Sequence, residues 1–111
     1  MSRTHRKRRP EQAVLFAALG DATRLALIRR LSAGEPRSIA QLTQGTRMTR
    51  QAVAKHLRVL QQVGLVHGTR EGREHRFALD PQPLAEMNEY LALVSRQWDA
   101  TLARLSSFVE D

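Results

Sequence analysis

The chain of 111 residues contains no cysteine, and this absence excludes several chemistries at once. Disulfide bonds, thiolate metal sites, redox-sensing thiols and cysteine nucleophiles all require that side chain. The chain also lacks any apolar run near the roughly 18 residues that a membrane-spanning helix needs. A short apolar run follows the N-terminal basic residues, but it continues into a periodic helical pattern. We therefore expect a cytoplasmic protein that makes no contact with a membrane.

Motifs for catalysis are missing as well. The sequence has no glycine-rich phosphate loop, no Gly-x-Ser-x-Gly and no triad of metal ligands. Glu71 and Glu74 lie between arginines, where charge pairing accounts for them. We therefore expect a protein that is not an enzyme and that needs no cofactor.

The positive charge is concentrated in the first two thirds of the chain. The formal net charge is +7; residues 1–10 hold five basic side chains and no acidic one, whereas residues 80–111 hold six acidic and two basic ones. Such a distribution predicts a polyanionic partner for the basic part. We expect a disordered basic arm at residues 1–9 and one domain over residues 10–111. The arm either contacts DNA or only keeps the protein in solution, and the sequence leaves both open.

One segment has the marks of an amphipathic helix with a defined start and end. Thr49 can cap its first turn, and Gly64 can take the left-handed conformation that ends a helix. At about 100° per residue, Val53, Leu57 and Leu60 fall on one side. The opposite side has no acid and consists of Gln51, Ala54, Lys55, Arg58 and Gln62. It is either an ordinary solvated face or one that enters a DNA major groove.

The flanking segments favour the DNA interpretation. Ser38 and Gln41 form a capping-box pattern for a short preceding helix, which Gly45 and Thr46 end. After the longer helix, residues 65–69 and 74–79 flank a glycine-containing turn at residues 70–73, which predicts a hairpin. With helices at about 11–19 and 22–32 and a final helix after Pro81 and Pro83, the fold class is mainly α with a small β-hairpin. We expect a winged helix-turn-helix of five helices and a two-stranded wing.

Three segments resemble the ArsR/SmtB family of bacterial winged-helix repressors. They are Leu19-Gly20-Asp21-Ala22-Thr23-Arg24-Leu25-Ala26-Leu27-Ile28, the helix ending His56-Leu57-Arg58-Val59-Leu60 with Gly64-Leu65-Val66, and Arg70-Glu71-Gly72-Arg73-Glu74. The resemblance spans roughly residues 11 to 109. It implies a dimer that places two recognition helices on DNA.

Candidate DNA contacts follow from side-chain chemistry and position. Gln51 and Lys55 suit base edges, with the small Ala54 between them, while Arg50 and Arg58 lie nearer the phosphates. Thr46 and Thr49 can offer hydroxyls and helix-start amides to phosphates. The wing adds Arg70, Arg73 and Arg76, which either contact DNA or lie on a solvated hairpin tip.

The final helix carries a heptad pattern. Leu84, Leu91, Trp98 and Leu105 recur every seven residues, as do Met87, Val94, Thr101 and Phe108. This pattern predicts a two-fold dimer, although it could instead pack wholly on its own domain. The expected dimer contacts are Leu84, Met87, Leu91, Val94, Trp98 and Leu105.

Many relatives sense metals through cysteines on the short helix or through histidine and carboxylates on the final helix. This chain has neither a cysteine on the short helix nor a histidine on the final one. We expect His56 to be packed and hydrogen-bonded, and His67 and His75 to face one another across the hairpin. Two imidazoles without a third ligand make a poor zinc site. We therefore expect no metal site. Regulation by an unknown small-molecule or protein effector stays possible.

The expected function is sequence-specific regulation of transcription by a homodimeric repressor at a pseudo-palindromic operator on double-stranded DNA. One alternative is an architectural protein that binds DNA without regard to sequence. Another is an interaction protein whose final helix pairs with a different chain. Whether the regulator represses or activates, and which genes it controls, does not follow from the sequence.

Overall fold

The computed structural model describes residues 11–110, and it confirms five helices in a winged helix-turn-helix. The elements are α1 (Gln12–Leu19), α2 (Ala22–Leu31), β1 (Arg37–Ser38), α3 (Ile39–Thr43), α4 (Arg50–Gln62), β2 (Val66–Glu71), β3 (Glu74–Leu79) and α5 (Pro81–Glu110). No helix in this part of the chain is both long and apolar enough to cross a bilayer. The basic arm expected at residues 1–9 lies outside the described residues.

The predicted helix starts are confirmed. The Asp21 side chain accepts a hydrogen bond from the amide of Arg24, and that of Thr49 accepts one from Ala52. Ser38 and Gln41 form the full capping box, with each side chain bound to the backbone amide of the other residue. These bonds satisfy amides that have no partner within their own helix. Gly64 has a φ of 85°, as the end of α4 requires.

The core lies where α2, α3, α4 and the hairpin meet. It contains Leu31, Leu42, Leu57, Leu60 and Leu65, none of which has any exposed surface. Val53 and Leu57 place one side of α4 in this core, which turns the opposite side outward. The amphipathic pattern therefore predicted the orientation of the helix correctly.

The sheet has three strands, so the expectation of two was wrong. The order is β1-β3-β2, and the extra strand β1 pairs Arg37 with Phe77 and Ser38 with Arg76 in antiparallel fashion. A strand of two residues is too short to show the period-two alternation that reveals strands in a sequence. Its pairing joins the start of the helix-turn-helix to the wing.

The hairpin turns at Gly72-Arg73, and its register corrects one expectation. Glu71 pairs with Glu74, which sets Arg70 opposite His75 and His67 opposite Ala78. Since side chains alternate along a strand, His67 and His75 lie on opposite faces of the sheet. The two histidines do not face one another.

Helix α5 starts at Pro81, where a missing amide hydrogen costs nothing because first-turn amides have no helical partner. Its first turns pack on the domain: Met87 is only 3% exposed and Leu84 lies at the edge of the core. Farther along, Leu91, Trp98 and Leu105 are 51%, 60% and 54% exposed in the single chain. Of the expected dimer contacts, Met87 and Leu84 thus mainly serve the chain's own core.

Candidate nucleic-acid interface

The outward face of α4 is polar, basic and accessible. Arg50, Gln51, Lys55 and Arg58 are exposed, and Ala54 is half-buried among them. Within the part of the chain that the structure describes, these four exposed side chains have no hydrogen bond or ion pair. Their donors and acceptors are therefore available to a ligand that meets this face.

Thr46 and Thr49, near the start of α4, were both predicted to contact phosphate, but their hydroxyl groups have different hydrogen bonds. The Thr49 hydroxyl oxygen accepts the Ala52 amide at 3.0 Å, which leaves its hydrogen available. The Thr46 hydroxyl donates to the carbonyl of Thr43 at 2.7 Å and accepts from the Met48 amide. The Thr46 hydroxyl is therefore engaged within the turn, while the Thr49 hydroxyl keeps a hydrogen to donate.

Arg47 is a candidate that sequence reasoning missed. It is exposed in the turn before Thr49, and no described residue pairs with it. A cation beside the positive end of a helix suits a phosphate group. The basic residue itself was the available signal, but it lies in the turn, outside the periodic pattern that marked the helix face.

The wing contributes fewer free cations than the sequence suggests. Arg76 is bound to Glu74 at 2.8 Å and lies 3.9 Å from Glu71. Arg70 and Arg73 are exposed and have no carboxylate partner among residues 11–110. The tip therefore presents Arg70 and Arg73, while Arg76 is engaged by the acidic side chains of Glu74 and, at longer distance, Glu71.

A polar cluster joins α4 to the start of α2, away from the exposed basic face of α4. Nδ1 of His56 lies 3.3 Å from Nη1 of Arg24 and 3.8 Å from Oδ2 of Asp21. The pKa of Asp21 lies below its ordinary value of 3.8, chiefly because its carboxylate accepts the Arg24 amide, and the charges of Arg24 and His56 add to this. The expectation that His56 is packed and hydrogen-bonded is confirmed.

Helix α3 is tied to α2 by Arg30. Its guanidinium donates to the carbonyls of Leu42 at 2.8 Å, Gln44 at 2.9 Å and Gln41 at 3.3 Å. The last carbonyls of a helix have no partner within it, so one planar group satisfies three acceptors. Together with the His56 cluster, Arg30 fixes both helices of the helix-turn-helix on α2.

The histidines of the wing have partners of other kinds. Nε2 of His67 lies 2.7 Å from Oδ2 of Asp80, and the ring of His75 stacks at 4.6 Å on that of Phe77. In residues 11–110, no three side chains of histidine, cysteine, aspartate or glutamate converge on one point.

Comparison with known proteins identifies relatives of the helix-turn-helix. A family model described as a helix-turn-helix domain matches residues 19–69, from the end of α1 into β2. The HTH-type transcriptional regulator Rv2034 of Mycobacterium tuberculosis is 32% identical over 103 residues, which are 93% of this chain and 91% of that protein.

Solved structures extend the similarity to the whole fold. An ArsR-like transcriptional regulator from Rhodococcus sp. RHA1 matches with a TM-score of 0.72 and 35% identity, over 87% of this chain and 91% of that one. The homodimeric winged helix-turn-helix DNA-binding domain of Mb0332 from Mycobacterium bovis, a possible ArsR-family regulator, matches with a TM-score of 0.59 and 26% identity. That match covers 81% of this chain and 80% of the other.

Proposed function

Since the chain belongs to the ArsR-like family of helix-turn-helix transcriptional regulators, we propose that it is a homodimeric repressor of a pseudo-palindromic operator. The observation that carries the proposal is the outward face of α4. Gln51 and Lys55 lie near its N-terminal end without partners among the described residues, opposite the buried Val53 and Leu57. Glutamine suits adenine and lysine suits guanine in the major groove.

Phosphate contacts would come from the residues around this face. Arg47, Arg50 and Arg58 flank the base-reading positions, and Arg70 and Arg73 extend the basic surface to the wing. Such contacts set the position of a protein on DNA without reading sequence. A role on chromosomal DNA also implies a cytoplasmic location.

The exposed part of α5 supports a two-fold dimer. Leu91, Trp98 and Leu105 expose half or more of their surface in one chain, and apolar patches of this kind mark interfaces. The related domain from M. bovis is described as homodimeric. A dimer would place two copies of α4 in major grooves about one helical turn apart, roughly 34–36 Å.

The test is a pair of substitutions measured on two DNAs. An operator is first identified by genome-wide mapping of bound sites. Gln51→Ala and Lys55→Ala should then each weaken operator binding by about 1–3 kcal/mol and random DNA much less. Gln62→Ala, at the other end of the same helix, is the matched control and should leave both affinities unchanged.

The competing function is an architectural protein that binds DNA irrespective of sequence. It predicts that Gln51→Ala and Lys55→Ala weaken operator and random DNA equally. Gln51 and Lys55 in the accessible face favour sequence reading, because an amide can make paired hydrogen bonds to one base.

A further inference from the structure

An apolar cavity of about 260 Å³ lies directly behind the helix-turn-helix. Helix α2 forms one wall, and the turn before α4 together with the first turns of α4 forms the other. The residues that matter are Ala26 and Leu27 of α2, Met48 and Val53 opposite them, and the polar Thr23 and Arg30. The cavity is open to solvent on one side, where Ala22 and Ala26 are exposed.

The size of the cavity limits what it can hold. An apolar protein cavity of about 150 Å³ takes up benzene, so this one suits a flat molecule of two fused rings. Met48 is half-buried and has an adaptable side chain, which lets the wall adjust to such a guest.

The polar residues Thr23 and Arg30 lie among the mainly apolar lining of the cavity. Arg30 donates only to carbonyl groups, and no carboxylate among residues 11–110 pairs with its charge. The hydroxyl of Thr23 has no hydrogen-bond partner in the same part of the chain. A carboxylate on the guest would therefore meet an unpaired cation and a free hydroxyl.

The position of the cavity connects it to the DNA-binding face. Val53 lies two residues after Gln51 on α4, and Met48 directly precedes the Thr49 cap. A guest between these residues and α2 contacts the start of α4 from behind. If the guest binds more tightly to one placement of α4 than to another, it shifts the protein toward that placement. The DNA affinity then changes by at most the same difference in binding free energy.

We propose that this cavity is an effector site for a small aromatic carboxylate, and that its occupancy is coupled to DNA binding. The cavity itself stands on the geometry alone, whereas the coupling rests on the proposed function. The ligand would act on the helix-turn-helix directly, without a signal passing through α5.

The probe for the test is 2-naphthoate, with 2-naphthamide as its uncharged counterpart. Amide chemical shifts of the full-length ¹⁵N-labelled protein are followed during titration with each compound. We expect saturable shifts at Ala22, Ala26, Thr46 and Met48 with 2-naphthoate. Binding of 2-naphthamide should be weaker by about tenfold, since it lacks the charge that Arg30 attracts.

Ala26→Phe fills the cavity from an exposed position and should weaken probe binding by about tenfold or more. Ala85→Phe makes the same change on α5, away from the cavity, and should leave probe binding unchanged. Should Ala26→Phe fail to fold by circular dichroism, Ala22→Phe one turn earlier serves the same purpose. Saturating 2-naphthoate should change operator affinity by about fivefold or more in the wild type and not in the filled variant.

The outcomes separate the two proposals. Absence of saturable shifts, or shifts confined to α5 around Trp98, overturns the site. Equal affinity for the charged and uncharged probes overturns the role of Arg30. Probe binding that leaves operator affinity unchanged overturns the coupling, whereas probe binding by a protein without any DNA affinity overturns the proposed function and leaves the site standing.

Discussion

Single residues in this protein act mainly by satisfying backbone groups and charges at helix ends. Asp80 is an example: its carboxylate accepts the Gln82 amide at 3.0 Å and bonds His67 at 2.7 Å. These two bonds, the backbone one first, lower the pKa of Asp80 from its ordinary value of 3.8. The residue thus joins the base of the wing to the start of α5.

Asp80→Ala should lower the free energy of unfolding by about 1 kcal/mol at neutral pH, the usual loss for an N-terminal cap. Because the folded pKa is lowered, the stabilisation is complete above 3.8 and is lost as pH falls through the folded value. The difference from wild type should therefore shrink below pH 3.8. Urea unfolding at equal protein concentration measures this, with Asp99→Ala as control; a difference that grows in acid would contradict it.

The side-chain chemistry also predicts the response to metal ions. The chain has no cysteine, and α5 has no histidine. Arsenite and cadmium favour thiolates, and zinc needs three or four converging ligands, which residues 11–110 do not offer, so these ions should leave operator binding unchanged. Fluorescence anisotropy with labelled operator tests this. Stoichiometric metal uptake that releases DNA at micromolar concentrations would show that the protein senses metal.

At the scale of helices and strands, local features were predictable and long-range ones were not. The caps at Asp21, Ser38 and Thr49 were predictable because each bond spans only three residues. Strand β1 was not, since its partner Phe77 lies far along the chain. The tie from Arg30 to the carbonyls of α3 likewise depends on how α2 packs. The heptad pattern predicted the apolar face of α5. It did not show which part of that face packs on the core of the chain's own domain.

Helix α5 supplies the prediction for the dimer. Trp98 is 60% exposed in one chain, and its ring lies in the middle of the exposed apolar face. If a second copy buries it, Trp98→Ala should cost on the order of 3–5 kcal/mol of dimer stability, because removal of the ring leaves a cavity. DNA affinity should fall with it.

Sedimentation over a range of concentrations measures this effect, with the neighbouring Gln97→Ala as control. Two results together would refute a dimer held by α5. One is an unchanged dimer in the Trp98→Ala variant, and the other is wild-type tryptophan fluorescence typical of a water-exposed ring.

Over the whole molecule, positive and negative charge are separated. The helix-turn-helix and the wing tip present exposed cations, whereas α5 and the residue before it carry Asp80, Glu86, Glu89 and Asp99 against only Arg96 and Arg104. In a dimer formed through α5, the acidic residues would lie away from the basic surface of each protomer. Both basic surfaces could then bind the same DNA molecule.

Residues 1–9, the expected basic arm, hold five cations and no acid. If the arm binds phosphates without a fixed geometry, its deletion should weaken operator and random DNA alike. The slope of log affinity against log salt should flatten by about 0.9 for each phosphate that the arm no longer neutralises. Salt titrations on both DNAs measure this, and Arg96→Ala, which removes a cation from α5, should leave the slope unchanged. A deletion that weakens only operator binding would instead mean that the arm reads sequence, as a side chain in a narrow minor groove does.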